Sequence, residues 1–147
     1  MEKMALTDNF NRHLEYLRIS VTDRCNLRCI YCAPKGIVPK MPHDEIMRYE
    51  EILRVVNIGV AAGIRKVRVT GGEPFVRKGI GSFLRKLGEV KGLSDISLTT
   101  NGYLLEQKVD LIKKAGIRRI NVSLDTLDRE KFANITGYDV FDKVWRG

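Results

Sequence analysis

The sequence predicts an α/β fold in which short parallel strands alternate with amphipathic helices. Two observations support this prediction: β-branched segments of strand length recur along the chain, and each is followed by a polar or glycine-containing loop and then by a helical pattern. The predicted strands are Tyr16–Val21, Lys66–Thr70, Asp95–Thr99 and Arg119–Leu124.

The intervals between the predicted strands carry apolar residues at i, i+3, i+4 and i+7, the spacing that places them on one face of a helix. These residues are Ile52, Val55, Val56, Gly59 and Val60 in the first interval, Ile80, Phe83, Leu84 and Leu87 in the second, and Leu105, Val109 and Ile112 in the third. Each strand is therefore predicted to be followed by a helix that returns the chain for a parallel strand.

The two faces of the predicted sheet differ in chemistry, because side chains alternate along a strand. One face is apolar, and the other carries Arg18, Ser20, Arg68, Thr70, Ser97, Thr99, Asn121, Ser123 and Asp125. A parallel sheet with helices on both sides is usually apolar on both faces. The pattern therefore predicts a curved sheet with helices outside and a polar ligand inside, which the two arginines require if they are buried. The alternative is a polar face exposed to solvent.

Length and charge limit the possible functions. A chain of 147 residues can form one domain with its own core. The net charge of +8 favours an anionic partner. The basic residues are dispersed and are not interleaved with aromatic residues, so nucleic acid is an unlikely partner. No apolar run approaches the roughly 20 residues that cross a bilayer. We expect a cytoplasmic protein that does not bind membranes.

All three cysteines of the chain lie in one short loop after the first predicted strand, as Cys25-x3-Cys29-x2-Cys32. An odd number at this spacing does not suit a disulfide framework, and three thiolates predict a set of metal ligands. On a four-iron cluster, three ligands leave one iron open to another molecule. Zinc is an alternative, but neither His13 nor His43 stands at the compact spacing of structural zinc modules.

The loops after the other predicted strands also carry candidate binding residues, at the edge of the sheet where ligands bind in such folds. Gly71-Gly72-Glu73-Pro74 allows the backbone to approach a ligand closely, and Glu73 could accept a hydrogen bond from an ammonium group. Thr99-Thr100-Asn101-Gly102 and Ser123-Leu124-Asp125-Thr126 suit ribose, carboxylate or base edges. Each motif alone is equally typical of a turn or a helix cap.

Together, the cysteine motif with Tyr31 before its last cysteine and the Gly71–Pro74 motif resemble the radical S-adenosylmethionine (SAM) superfamily. More narrowly, Leu17–Cys29, Thr99–Gly102 and Asn121–Asp125 resemble the GTP 3′,8-cyclase family, lyases of molybdenum-cofactor biosynthesis. The resemblance runs from about Leu6 to the end of the chain. It implies a partial TIM-like (β/α) barrel of the radical SAM type, truncated to about four β/α units.

The resemblance also implies roles for individual residues. Cys25, Cys29 and Cys32 would hold a 4Fe-4S cluster, whose open iron would bind S-adenosylmethionine and generate a 5′-deoxyadenosyl radical for the cyclisation of GTP. The residues implied to contact S-adenosylmethionine are Tyr31, Gly71, Gly72, Glu73 and Ser123. Those implied to bind GTP are Arg18, Arg68 and Thr99, and the two arginines are also implied to act in catalysis.

Family members continue through further β/α units to a second cluster with three more cysteines. Residues 1–147 therefore correspond to the N-terminal part of the core domain, and we expect no GTP turnover by this chain alone. A low-potential electron donor is implied, and an exposed edge strand at residues 119–124 predicts self-association. The alternatives are another radical SAM enzyme that modifies a peptide or cofactor, a basic zinc or iron–sulfur module that binds nucleic acid, and a truncated product that folds only in part.

Overall fold

The computed structural model describes residues 6–32 and 40–147. The strands in these ranges are β1 (Tyr16–Ser20), β2 (Lys66–Thr70), β3 (Asp95–Thr100) and β4 (Arg119–Val122). The helices are α1 (Tyr49–Ala61), α2 (Ile80–Gly88), α3 (Leu105–Lys114), α4 (Arg129–Thr136) and α5 (Phe141–Arg146), and a 3₁₀ turn covers Pro74–Val76. The alternation of strand and helix confirms the predicted α/β fold.

The strands form one parallel sheet in the order β1-β2-β3-β4. Consecutive strands are neighbours, and α1, α2 and α3 connect them in turn. This order is that of successive units in a β/α barrel, so the sheet is consistent with a partial TIM-like barrel. Strand β4 pairs with β3 alone among the described strands and forms one edge of the sheet, and its Val122 side chain is 44% exposed.

The core lies between the apolar face of the sheet and helices α1 to α3. Val67, Val69 and Leu98 of the sheet are fully buried there. Helix α2 buries the four apolar residues that its sequence pattern placed on one face: Ile80, Phe83, Leu84 and Leu87. Val55 of α1 and Val109 of α3 are instead partly exposed, because each lies beside the buried stripe of its helix and not at its centre.

The opposite face of the sheet carries polar side chains, as predicted. The register places Arg18 of β1 beside Arg68 of β2, and Thr99 of β3 beside Asn121 of β4. Most of these side chains are exposed or half-buried, but Ser97 is fully buried. The described residues include no helix that is long and apolar enough to cross a membrane.

Candidate functional site

The cysteine loop follows β1 at the carboxyl edge of the sheet and is held by the far end of the chain. The backbone N–H of Arg28 donates to the carbonyl of Thr136 at 2.9 Å, and the N–H of Ile30 donates to the carbonyl of Ile135, also at 2.9 Å. Leu27, between the first two cysteines, is buried. The last carbonyls of α4, which an isolated helix leaves without partners, therefore fix the backbone of the loop.

The three cysteines of this loop are free thiols; Cys25 and Cys29 are half-buried and Cys32 is exposed. Burial raises the pKa of both Cys25 and Cys29, and Cys29 lies close enough to each of the other two for their charges to interact. Within the described ranges, no three Cys, His, Asp or Glu side chains already surround a single metal position. Three unpaired thiols on one fixed loop nevertheless match the donor chemistry that an iron–sulfur cluster needs.

The histidines do not complete a zinc site in the described part of the chain. His43 contacts Arg24, with 3.1 Å between their side-chain nitrogens, and His13 pairs with Thr7. Neither histidine joins the cysteines in a group of metal ligands. Neither histidine therefore supplies a fourth zinc ligand in the described ranges.

The paired glycines after β2 pack directly against the segment that leads into the cysteine loop. Gly72 N–H donates to the carbonyl of Thr22 at 2.6 Å, and Glu73 N–H donates to the carbonyl of Arg24 at 2.8 Å. A Cβ on Gly72 would lie 2.3 Å from the Arg24 carbonyl oxygen, so only glycine fits. The sequence predicts that these glycines let the backbone approach a ligand; in the structure, the backbone of Arg24 occupies the space beside Gly72. Contacts of Gly71 and Gly72 with S-adenosylmethionine remain a prediction.

Glu73 is fully buried and joins the tips of β2 and β3. Its Oε1 accepts from Thr100 Oγ1 at 2.9 Å and from Phe75 N–H at 3.1 Å, and its Oε2 accepts from Asn101 N–H at 2.8 Å. Burial raises the pKa of Glu73, and these hydrogen bonds only partly oppose that effect. Both carboxylate oxygens thus have partners within the protein, while the predicted contact with an ammonium group remains a prediction.

Tyr31 connects the cysteine loop to the end of β4. Its hydroxyl donates to Asp125 Oδ2 at 2.9 Å. Loss of solvent around this hydroxyl, with its hydrogen bonds to Cys29 and Asp125, raises the pKa of Tyr31. Ser123, the other residue predicted here, is exposed, and its N–H donates to the carbonyl of Thr100 at 2.9 Å, one step beyond the end of β4. The ends of β1, β3 and β4 are therefore brought together.

Arg18 and Arg68 lie side by side on the polar face, further from the carboxyl edge than the cysteine loop. Arg68 Nε donates to Ser97 Oγ at 3.3 Å, and its guanidinium lies 5.6 Å from the centre of the Tyr16 ring. When the Asn121 amide is turned so that its oxygen faces Arg68, that oxygen accepts from both terminal nitrogens at 3.2 and 3.3 Å. Neither arginine forms an ion pair with any described carboxylate, so the pair is suited to an anionic ligand.

Two parts of this site were missed by sequence reasoning. The docking of α4 on the cysteine loop has no local signal, because the partners are distant in the chain. Asn101 was identified only as part of a motif, but its side-chain nitrogen lies 3.7 Å from Cys25 Sγ. The signal that could have found it is its position directly after β3, two strands away from the cysteine loop in the same sheet.

Known proteins of similar sequence include GTP 3′,8-cyclases and a molybdenum cofactor biosynthesis protein. The GTP 3′,8-cyclase of Thermodesulfovibrio yellowstonii is 54% identical over 143 residues, which are 97% of this chain and 44% of that protein. The GTP 3′,8-cyclase of Desulforamulus reducens is 51% identical, over 96% of this chain and 43% of the relative. Molybdenum cofactor biosynthesis protein 1 of Dictyostelium discoideum is 48% identical, over 99% of this chain and 23% of that protein. The chain thus spans less than half the length of these relatives.

Solved structures give the same fold. Streptococcus suis SuiB bound to S-adenosylmethionine superposes with a TM-score of 0.68 at 24% identity, over 88% of this chain and 30% of SuiB. The complex of SuiB with its precursor peptide SuiA gives a TM-score of 0.70, also at 24% identity, over 88% of this chain and 29% of SuiB. The family model of the Radical SAM superfamily matches residues 19–147, a range that includes the cysteine loop and all four strand ends. The chain therefore belongs to the radical SAM superfamily.

Proposed function

We propose that this chain is the N-terminal part of the core domain of a GTP 3′,8-cyclase. The observation that carries the proposal is the placement of a three-cysteine loop at the carboxyl edge of a sheet whose polar face presents Arg18 and Arg68 without acidic partners among the described residues. Relatives that carry this name are about half identical over nearly the whole chain.

The superfamily uses a 4Fe-4S cluster and S-adenosylmethionine, and the thiols of Cys25, Cys29 and Cys32 fit the cluster. When bound, the cluster supplies the electron that cleaves S-adenosylmethionine. Around S-adenosylmethionine, the proposed contacts are made by Tyr31, Gly71, Gly72, Glu73 and Ser123. The proposed reaction needs a low-potential electron donor, and free thiol ligands persist in a reducing compartment such as the cytoplasm.

Arg18 and Arg68 are proposed to bind the phosphate groups of GTP. A guanidinium fork donates two parallel hydrogen bonds to phosphate oxygens, which fixes both position and orientation. The Thr99 hydroxyl, on the same face of the sheet, is proposed to complete the GTP contacts. By holding the nucleotide rigidly, these groups place one C–H bond of its ribose within reach of a radical and keep stray hydrogen donors away.

Anaerobic reconstitution followed by metal analysis tests the cluster. We expect about four iron and four sulfide per chain, as the cluster formula requires. Stoichiometric zinc would instead favour the nucleic-acid-binding alternative. Loss of iron in the C25A, C29A and C32A variants, with the fold retained by circular dichroism, would assign the ligands.

Calorimetric titration with GTP tests the substrate. We expect R18A and R68A each to weaken binding at least about tenfold, because each removes a charge-assisted contact worth about 1.5–3 kcal/mol. R54A is the matched control, since Arg54 is exposed on α1. Binding of a peptide in place of GTP would favour a peptide-modifying radical SAM enzyme.

We also expect the chain alone, after reconstitution of its cluster, to form no cyclised nucleotide. Detection of that product would contradict the proposal that residues 1–147 are only part of the enzyme.

The exposed edge strand supports a second expectation, self-association of this chain. Strand β4 pairs with β3 alone among the described strands, which leaves the backbone groups on its outer side without a strand partner there, and such edges promote association. Size-exclusion chromatography should show species larger than a monomer at high concentration. A monomer at every concentration would contradict it.

A further inference from the structure

The side-chain amide of Asn101 points its nitrogen at the sulfur of Cys25. Asn101 Nδ2 lies 3.7 Å from Cys25 Sγ and also donates to Asn26 Oδ1 at 2.9 Å. The amide oxygen is occupied on the other side, because it accepts from Tyr103 N–H at 3.0 Å. An amide with its oxygen bound to an N–H has only its nitrogen left for the sulfur, so the donor faces Cys25.

The backbone of Asn101 is held as firmly as its side chain. Its N–H donates to Glu73 Oε2 at 2.8 Å, and Glu73 is fully buried, with Phe75 N–H and Thr100 Oγ1 on its carboxylate. Rotation of the Asn101 amide away from Cys25 would break the bonds to Asn26 and Tyr103 together. The buried carboxylate thus fixes the point from which the amide reaches the cysteine.

Cys25 receives a second donor from its own loop, the N–H of Leu27 at 3.4 Å from the sulfur. Hydrogen bonds to a ligand thiolate withdraw negative charge from it and stabilise the reduced, more negative state of a cluster. Asn101 differs from the loop donor because it comes from the end of β3. Substitution can therefore remove it without changing the cysteine loop.

We propose that Asn101 is a positioning residue that donates an N–H···S hydrogen bond to the Cys25 thiolate of the cluster and raises the reduction potential of that cluster. The proposal rests on the proposed cluster at Cys25, Cys29 and Cys32, and it does not depend on GTP as the substrate. Glu73 and Tyr103 support the donor through the backbone and the amide oxygen of Asn101.

The test is a redox titration of the reconstituted 147-residue chain, followed by electron paramagnetic resonance of the reduced cluster. N101L removes the donor at similar volume. N101D keeps an oxygen that accepts from Tyr103 N–H but replaces the nitrogen with a second oxygen. The Asn26 amide can turn to donate to that oxygen, since its own nitrogen is buried and has no hydrogen-bond partner among the described residues. N57L is the control, because Asn57 lies on the exposed side of α1.

We expect N101L to lower the ratio of reduced to oxidised cluster at a fixed potential about tenfold, a shift of about 59 mV for a one-electron couple. N101D should lower the potential further, because it adds a negative charge beside the sulfur. N57L should not move it. Iron content is measured in every sample, and if N101L takes up no iron, N101A replaces it, because alanine also removes the donor and adds no charge. A loaded N101L or N101D with the wild-type potential would overturn the role of Asn101, whereas a wild-type chain without iron would overturn the proposed cluster itself.

Discussion

Replacement of Gly72 by alanine tests whether the glycine pair positions the cysteine loop. The added Cβ would lie 2.3 Å from the carbonyl oxygen and 2.6 Å from the carbonyl carbon of Arg24, and 2.9 Å from the carbonyl oxygen of Asp23. All three atoms are backbone, so no side-chain rotation relieves the contact. The segment before Cys25 must move by roughly 1 Å to restore ordinary van der Waals separation.

The energy of this change follows from the same contacts. Overpacking of this kind costs about 1–3 kcal/mol. The displaced segment also weakens the hydrogen bond from Glu73 N–H to the Arg24 carbonyl and that from Gly72 N–H to the Thr22 carbonyl, each worth about 0.5–1.5 kcal/mol. We therefore expect G72A to lower the free energy of unfolding by about 2–6 kcal/mol.

Urea denaturation of the chain measures this loss, and iron content after reconstitution measures the effect on the cysteine loop. G59A is the matched control, because a Cβ at Gly59 in α1 would meet only the Ile64 side chain, at 3.3 Å, and alanine favours a helix. It should change stability by less than about 1 kcal/mol. If G72A unfolds at the wild-type urea concentration and takes up wild-type iron, the Arg24 backbone does not restrict position 72 to glycine.

Further predictions concern the links between strand ends. Burial raises the folded-state pKa of Glu73 above its usual value of 4.5, so the stability of wild type relative to E73Q should fall as pH rises from 4.5. Urea unfolding at several pH values measures this. A difference in unfolding free energy between the two proteins that does not change with pH would contradict it. Y31F removes the 2.9 Å bond to Asp125 and should cost about 0.5–1.5 kcal/mol in the same assay, an effect that should shrink when Asp125 is already alanine, because only the contact with Cys29 is then lost. D128A removes the side-chain cap of α4, which accepts from Lys131 N–H at 3.0 Å, and should lower the free energy of unfolding by about 1 kcal/mol. It should also speed alkylation of the cysteines, because α4 holds their loop. An unchanged alkylation rate would contradict that role of α4.

The sheet could be predicted because strand and helix periodicities are local. Lys66–Thr70 coincides with the observed β2, and the other predicted strands differ from the observed ones by one or two residues at their ends. Strand β4 ends at Val122 and not at Leu124, since the backbone beyond it turns toward α4 after one more hydrogen bond, from Ser123 to Thr100. Strand ends depend on such neighbours, which a linear pattern does not contain.

The candidate site was predictable in its chemistry but not in its internal contacts. Spacing identified the cysteines, and alternation along the strands placed Arg18 and Arg68 on one face. The partners of Glu73 could not be predicted, because a carboxylate after a glycine pair can face a ligand or the protein interior with equal ease. Burial and the register between β2 and β3 decide this, and both are properties of the assembled sheet.

The contact between the cysteine loop and α4 bears on the timing of assembly. The loop leaves the ribosome well before Ile135 and Thr136, whose carbonyls accept from the N–H groups of Ile30 and Arg28. Bringing α4 back to the cysteine loop closes a long stretch of chain, which carries an entropic penalty. The strands and helices between them reduce this penalty only once they have folded. The cysteines are thus translated well before α4 but acquire their native arrangement only after α4 has formed, so until then the thiols are open to oxidation or to the wrong metal.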